Sequence, residues 1–216
     1  MKHRPRIILA DDHTMLLGAF RQLLEPRCEI VGTAGDGREL LELAASARPE
    51  IIVLDITMPR LNGIDACRQL RRKMPEVKFV FLTVNEDPDL AAEAINLGAS
   101  GYLLKSSATS ELFTAIEHAR AGKPYITPLI TKGVPNSIFL LQATKPDANK
   151  LSARQREVLQ LLAEGCLMKE VADQLQITAR TVAFHKYVIM ELLRVKTSAE
   201  LVQYAVEHGL VKKRTC

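Results

Sequence analysis

The chain contains no tryptophan, only 5% aromatic residues and only four cysteines in 216 residues. The cysteines, at positions 28, 67, 166 and 216, are far apart and form no CxxC pair. This favours reduced thiols over a disulfide framework or a zinc site. No apolar run approaches the roughly 20 residues that cross a bilayer. The first apolar run, residues 7–10, is too short for a secretory signal. These absences predict a cytoplasmic protein with no membrane segment.

Charge is unevenly distributed along the chain. Residues 1–122 contain 15 basic and 17 acidic residues, residues 123–150 contain 4 and 1, and residues 151–216 contain 10 and 7. An acidic first part and a basic remainder are typical of a signalling domain joined to a nucleic-acid-binding domain. Prolines interrupt residues 123–150, which we interpret as a linker with one short helix over 137–142. We therefore predict domains at 1–122 and 151–216.

Residues 1–122 alternate between short apolar runs and helical patterns. The apolar runs predict strands over 7–10, 29–34, 51–54, 77–82 and 101–104, each followed by a helix. Asp36 is a candidate N-cap. Five strands that alternate with five helices indicate an α/β fold, a doubly wound parallel sheet with helices on both faces.

Polar residues follow four of these strands. Since carboxyl ends of parallel strands share one edge, the side chains should converge there, although any one of them alone is ordinary for a strand end. Clustered carboxylates need a cation, and hard oxygen ligands favour Mg²⁺. A neutralised carboxylate can then attack phosphorus, while a lysine and a hydroxyl stabilise the phosphoryl oxygens. The set comprises Asp11, Asp12, Asp55, Thr83 and Lys105.

These motifs, together with the sequence 101–105 (GYLLK), Asn62-Gly63 and Met58-Pro59, resemble the bacterial response-regulator receiver domain. The resemblance implies a flavodoxin-like fold with strand order 2-1-3-4-5. It also implies that Asp55 is the phosphoacceptor, that Thr83 and Tyr102 form a switch pair, and that Mg²⁺ lies among Asp11, Asp12, Asp55 and the Thr57 carbonyl. Val84 stands where a smaller residue is frequent, and we expect its bulk to restrict access to Asp55.

Residues 151–216 predict four helices. Ser152 and Gln155 fit a capping box, and a short helix over 169–175 followed by a longer one over 178–193 fits a helix-turn-helix. The sequence resembles the LuxR/NarL-type DNA-binding domain. That resemblance implies contacts to DNA phosphates and base edges, and it makes the fourth helix a dimer face with Leu201, Val202 and Ala205. The candidate DNA-binding residues are Lys169, Arg180, Thr181, Phe184, Lys186 and Tyr187.

Ala183, Phe184 and Arg194 depart from this family pattern, so the DNA target could differ or the affinity could be low. An alternative use of Phe184 and Tyr187 is packing against the linker or a second subunit. The sequence as a whole predicts a transcription regulator that a sensor histidine kinase phosphorylates and that dimerises on activation. One alternative is a phosphorylation-independent regulator controlled by a partner or by domain docking. A Mg²⁺-dependent phosphatase is disfavoured, because Thr57 stands where a second carboxylate would be needed.

Overall fold

The computed structural model describes residues 3–84, 86, 88–131 and 151–212 of the chain. Within these ranges the first part is a parallel sheet with helices on both faces, and the second part is a cluster of helices. None of the helices in the described ranges has the length and apolarity that a bilayer crossing requires.

In the described part of the chain, the sheet has six parallel strands in the order β2-β1-β3-β4-β5-β6. The predicted order of the first five strands is confirmed, but the predicted number is wrong by one. The additional strand lies in the segment interpreted as linker, where two flanking prolines had indicated a break. The strands are β1 (Arg6–Ala10), β2 (Glu29–Ala34), β3 (Ile51–Asp55), β4 (Lys78–Thr83), β5 (Gly101–Leu104) and β6 (Tyr125–Ile126).

β6 forms because the outer edge of β5 offers backbone carbonyl groups that can accept hydrogen bonds from another strand. The Tyr125 N–H donates to the Ser100 carbonyl at 3.1 Å, and the Thr127 N–H donates to the Tyr102 carbonyl at 2.9 Å. Ile126 is buried, as is Ile130 in the short helix that follows. Residues 125–131 therefore pack with the sheet. The helix predicted over 137–142 lies outside the described residues.

Within the described residues, six helices accompany the sheet. One begins at the predicted N-cap, Asp36, and a second is capped by Asn62. The Asp36 carboxylate accepts the N–H groups of Arg38 and Glu39, and Asn62 Oδ1 accepts the N–H of Asp65. Such side chains satisfy backbone donors that a helix N-terminus leaves unpaired. The helices are α1 (Thr14–Leu24), α2 (Gly37–Ala47), α3 (Gly63–Lys73), α4 (Pro88–Asn96), α5 (Ala108–Arg120) and α6 (Pro128–Thr131).

β3 is the centre of two apolar layers. Because side chains alternate along a strand, Ile52 and Leu54 join the cluster that packs on α2, α3 and α4. Ile51 and Val53 face the cluster that packs on α1 and α5. All five residues of β3 are buried, so the carboxylate at its end is held by a rigid support.

Residues 151–212 form four helices: α7 (Ala153–Ala163), α8 (Met168–Leu175), α9 (Ala179–Leu193) and α10 (Ser198–Glu207). The predicted capping box of Ser152 and Gln155 is confirmed at the start of α7. α8 and α9 are joined by a short turn in which Gln176 adopts a left-handed conformation. Val158, Val171 and Val182 contribute to one buried apolar core on which the helices of this domain pack.

Candidate functional site

The carboxyl edge of the sheet brings the predicted receiver residues together. Asp11 follows β1 and Asp55 ends β3, and each is only 2% exposed. Lys105 follows β5, and its Nζ lies 2.8 Å from Asp55 Oδ2 and 2.6 Å from Asp11 Oδ2. The ammonium group therefore bridges two buried carboxylates that come from different strands.

The same edge carries a candidate cation site. Ligand atoms of Asp11, Asp12, His13 and Asp55 lie within 4.8 Å of one another. Three carboxylates supply the hard oxygen donors that Mg²⁺ prefers, and the partial exposure of Asp12 leaves a side open for waters. The donor set therefore fits the magnesium ion that the sequence predicts.

His13 belongs to this cluster, although the sequence had indicated only the start of a helix there. Its backbone N–H donates to Asp11 Oδ1 at 2.9 Å. Its ring Nδ1 lies 2.9 Å from the same oxygen and 3.0 Å from Asp12 Oδ1. The only available signal was its position directly after two aspartates.

Burial and charge act in opposite directions on the central ion pair. Burial raises the pKa of the Asp55 carboxyl, and the nearby Lys105 ammonium opposes that change. Burial would lower the pKa of Lys105, but the Asp55 and Asp11 carboxylates raise it above its ordinary value. Lys105 is therefore held in its charged form. Its ammonium offsets the free-energy cost of keeping a negative charge on the buried Asp55 carboxylate.

The predicted switch residues lie on adjacent strands. Thr83 ends β4 and is fully buried, and its carbonyl accepts the Lys105 N–H at 2.7 Å. Tyr102 lies on β5 opposite Phe81 and is also fully buried. The Thr57 N–H donates to Asp55 Oδ1 at 3.2 Å. Val84 is 74% exposed, and the expectation that its bulk restricts access to Asp55 stays a prediction.

The helix-turn-helix presents the predicted DNA-binding residues on and beside α9. Lys169 and Arg180 are exposed, and Thr181 is half-buried. Phe184 and Tyr187 are 63% and 70% exposed, so neither side chain is packed into the part of the chain that the structure describes. The Lys186 Nζ donates a hydrogen bond to the Ser198 Oγ at 2.9 Å. The aromatic side chains, spaced three residues apart, share one helical face.

The helical domain docks on the sheet domain through α7. Gln160, fully buried, is the centre of the contact. Its Oε1 accepts the Asn62 N–H at 2.9 Å and the Asn62 Nδ2 at 3.0 Å. Its Nε2 donates to the Met58 carbonyl at 2.9 Å. One glutamine therefore binds the loop that directly follows Asp55 and Thr57.

Charged side chains surround that glutamine. The Arg156 Nε donates to Asp65 at 2.8 Å. Glu157 accepts from Gln69 at 2.9 Å and from Arg38 at 3.0 Å. Within the same docking surface, the Glu164 carboxylate accepts the Arg60 N–H at 3.2 Å. The sequence did not reveal these contacts, because each joins residues about a hundred positions apart.

A cavity of about 560 Å³ lies between the two domains, beside the acidic cluster. From the sheet domain it is lined by Asp12, Thr57 and Met58, and from the helical domain by Val202 and Lys212, among others. Leu201 and Ala205 of α10 are buried in the core of their own domain, whereas Val202 is 37% exposed. Of the three residues expected on the dimer face, only Val202 therefore remains accessible, and it faces this cavity.

Comparison with known proteins gives a consistent assignment. Residues 7–117 match the response regulator receiver domain, and residues 149–205 match the bacterial regulatory proteins of the luxR family. The transcriptional regulatory protein MctR of Rhizobium johnstonii is 32% identical over 99% of both chains. The nitrate/nitrite response regulator protein NarL of Escherichia coli K12 is 34% identical over 90% of this chain and 91% of its own.

Solved structures agree. RcsB of Salmonella typhimurium superimposes with a TM-score of 0.67 at 26% identity, covering 95% of this chain and 98% of its own. RcsB of Salmonella enterica serovar Typhimurium bound to the promoter rprA with the phosphomimetic BeF₃⁻ gives 0.62 at 27%, with 93% and 98% covered. These findings define a two-component response regulator, a class of transcription regulator with receiver and DNA-binding domains. The chain belongs to its LuxR family.

Proposed function

We propose that this regulator is switched by phosphorylation of Asp55, which alters dimerisation and DNA binding. A sensor histidine kinase is the donor, and the protein works in the cytoplasm on double-stranded DNA. The observation that supports this most is the Lys105 ammonium between Asp55 and Asp11, beside a donor set that suits Mg²⁺. Phosphoryl transfer needs this combination of a positioned nucleophile and fixed positive charge.

The transfer step follows from these positions. An Asp55 carboxylate oxygen attacks phosphorus, an O–P bond forms, and the N–P bond of a phosphohistidine breaks. The imidazole nitrogen keeps the electron pair and is protonated. Mg²⁺, held by Asp11, Asp12, Asp55 and the Thr57 carbonyl, would neutralise phosphoryl oxygens when bound. Lys105, already beside Asp55, stabilises the remaining negative charge. The protein's own chemistry is limited to accepting and losing this group, with no external substrate turned over.

DNA recognition is assigned to α9 and its surroundings. In this proposal Lys169, Arg180 and Thr181 contact phosphates, which would give affinity and salt dependence. Phe184 and Tyr187 face outward, and with the half-buried Lys186 they would meet base edges, where an aromatic ring can contact a thymine methyl. The exposure of Phe184 and Tyr187 supports this assignment, because large exposed apolar side chains at one face mark a binding surface.

Phosphorylation would act on a two-state switch. A phosphoryl group on Asp55 draws the Thr83 hydroxyl towards it and shifts Tyr102, as the receiver family implies. The loop 58–62, directly after Asp55, carries the carbonyl and amide groups that Gln160 binds. A shift of this loop therefore weakens docking, releases the helical domain, and frees Val202 from the interdomain cavity to meet a second subunit.

The test is intact-mass spectrometry after incubation with Mg²⁺ and acetyl phosphate or phosphoramidate. The wild type should gain one phosphoryl group and the Asp55→Asn variant none. The phosphorylated wild type should then dimerise and bind operator DNA more tightly. If the Asp55→Asn variant shows the same changes on treatment, the proposal is wrong.

A phosphorylation-independent regulator is the second candidate. The observation that favours it is the 3% exposure of the Asp55 side chain beneath the docked domain. Absence of any phosphoryl gain, combined with unchanged specific DNA binding, would support this alternative. Gln160→Ala would then discriminate further, since undocking should expose Asp55 and permit the reaction.

A further inference from the structure

Lys212 lies over the acidic cluster, although it comes from the far end of the chain. Its Nζ is 2.5 Å from Asp12 Oδ1, 3.3 Å from His13 Nδ1 and 3.9 Å from Asp55 Oδ2. The side chain is 37% exposed, so it reaches the cluster from the solvent side. No other interdomain contact described above reaches a residue of the cluster itself.

The charges explain why a cation is stable at this point. Lys105 contacts Asp11 and Asp55 from within the sheet edge, at 2.6 and 2.8 Å. Asp12 is 27% exposed. Three clustered carboxylates with one buried ammonium retain net negative charge, and Lys212 neutralises part of it. Its ammonium therefore acts as the counter-cation of Asp12.

A divalent ion would need the same oxygen atoms. Mg²⁺ binds carboxylate oxygens at about 2.0–2.1 Å, so an ion shared by Asp12 and Asp55 would lie close to the present position of Lys212 Nζ. Two cations at that distance repel each other and compete for Asp12 Oδ1. Occupation of the cluster by the ion and by Lys212 is therefore mutually exclusive.

Lys212 is fixed to the helical domain. The preceding Val211 is buried in the core of that domain, and its N–H donates to the Ala205 carbonyl at 3.3 Å. The Lys212 contact with Asp12 therefore contributes to docking. Removing this contact weakens the interdomain attachment that Gln160 and Arg156 also maintain.

We propose that Lys212 is a tethered cation occupying the metal site of the receiver, so that Mg²⁺ binding displaces it and loosens the helical domain before any phosphoryl transfer. This rests on the proposed Mg²⁺ site but goes beyond phosphorylation control. Linkage makes the effect reciprocal: docking weakens metal binding by the factor by which metal weakens docking.

The test is isothermal titration of the unphosphorylated full-length chain with magnesium chloride. Lys212→Gln should bind Mg²⁺ about 2- to 5-fold more tightly than the wild type, the range expected from a partly exposed ion pair. Lys212→Arg retains a cation and should remain close to the wild type. Lys196→Gln is the matched control, since it removes the same charge from another exposed lysine of this domain.

A second measurement reports docking directly. The Asn62 amide proton, which Gln160 holds across the interface, should exchange faster in the wild type when Mg²⁺ is added. In Lys212→Gln it should exchange faster than in the wild type even without the ion. If the exchange rate of the Asn62 amide changes neither on addition of Mg²⁺ to the wild type nor in Lys212→Gln, metal binding and docking are not coupled.

The outcomes separate the two proposals. Equal Mg²⁺ affinity in the wild type, Lys212→Gln and Lys196→Gln overturns the role of Lys212 while the metal site stands. No measurable Mg²⁺ binding in any variant overturns the metal site, and both proposals with it. Tighter binding in Lys212→Gln alone supports the displacement.

Discussion

Two surfaces of the helical domain contrast in an unexpected way. The α7 surface carries polar side chains that are buried, with Glu157 6% and Gln160 0% exposed. The α9 surface carries aromatic side chains that are exposed, with Phe184 at 63% and Tyr187 at 70%. Polar side chains are usually exposed and aromatic side chains usually buried, so both surfaces show the opposite of the usual pattern. The first surface has its partner among the described residues of the same chain, and the second has an exposed face of the kind that binds a partner.

The difference indicates how docking can regulate this protein. Buried polar groups need hydrogen-bond partners, and Gln160 obtains them from the loop after Asp55. The exposed face of α9 remains accessible in the docked arrangement. Docking therefore does not act by covering Phe184 and Tyr187. It fixes the orientation of the domain and directs Val202 towards the interdomain cavity instead.

The largest effect should come from Gln160→Ala, which removes the centre of the α7 contact. The Met58 carbonyl and the Asn62 amide lose their partner, and unsatisfied buried groups cost about 1–3 kcal/mol. We expect docking to weaken by that amount, measured as faster hydrogen exchange of the Asn62 amide. Gln203→Ala, an exposed glutamine on α10 that donates to Glu207, is the control and should leave exchange unchanged. Equal exchange in the two variants would show that Gln160 does not hold the interface.

The second effect, on the other surface, should come from Phe184→Ala. Loss of an aromatic contact should weaken binding to an operator fragment by about 1–2 kcal/mol, within the usual worth of a buried aromatic side chain. Docking should not change, because Phe184 lies outside the α7 contact. Leu192→Ala truncates another exposed apolar residue of α9 and is the control. An affinity loss as large in Leu192→Ala would point to general destabilisation of the helix.

The smallest effect should come from Glu164→Gln at the edge of the α7 surface. Burial raises the pKa of the Glu164 carboxyl, although hydrogen bonds from Gln160 and Arg60 oppose this. The docked form therefore binds a proton more tightly than the free form. Docking should strengthen as pH falls through the raised pKa, and the cost of the buried charge is fully present above it.

The Glu164→Gln variant should lose this pH dependence. At neutral pH its docking should change by no more than about 0.5 kcal/mol, because the group is only partly buried. Asp65, whose pKa burial also raises, is present in both proteins, so the difference between them isolates Glu164. A pH profile that is identical in variant and wild type would exclude Glu164 as its source.

The elements of the receiver were largely predictable from sequence. Apolar runs specified β3 and its neighbours because they are buried on both faces, and Asp36 marked a helix start through local capping. In the helical domain, Ser152 marked the start of α7 in the same way. The convergence of Asp11, Asp55 and Lys105 followed from parallel topology alone. These features depend on local sequence and on one rule of sheet geometry.

The remaining features depend on tertiary context. β6 is only two residues long, and its prolines indicated a break rather than an edge strand. Gln160 and Lys212 are ordinary polar residues of a helix and a chain end, and nothing nearby in sequence shows that their partners are Asn62 and Asp12. His13 gave no signal beyond its neighbours. Contacts of this kind become visible only when distant segments are placed together.

The most direct test of the central claim is the distance between the two domains before and after phosphorylation. Spin labels at Arg72→Cys and Asp173→Cys, both exposed, report it by double electron–electron resonance, with Cys166 and Cys216 replaced by serine. Cys28 and Cys67 are buried, and burial raises the pKa of the Cys67 thiol to about 12, which keeps it unreactive.

The unphosphorylated protein should give one narrow distance distribution. Acetyl phosphate with Mg²⁺ should broaden and lengthen this distribution beyond the effect of Mg²⁺ alone, and the Asp55→Asn variant should show no change beyond that of Mg²⁺ alone under the same treatment. A distribution that remains narrow in a protein shown by mass to be phosphorylated would contradict the release of the α7 contact by Asp55.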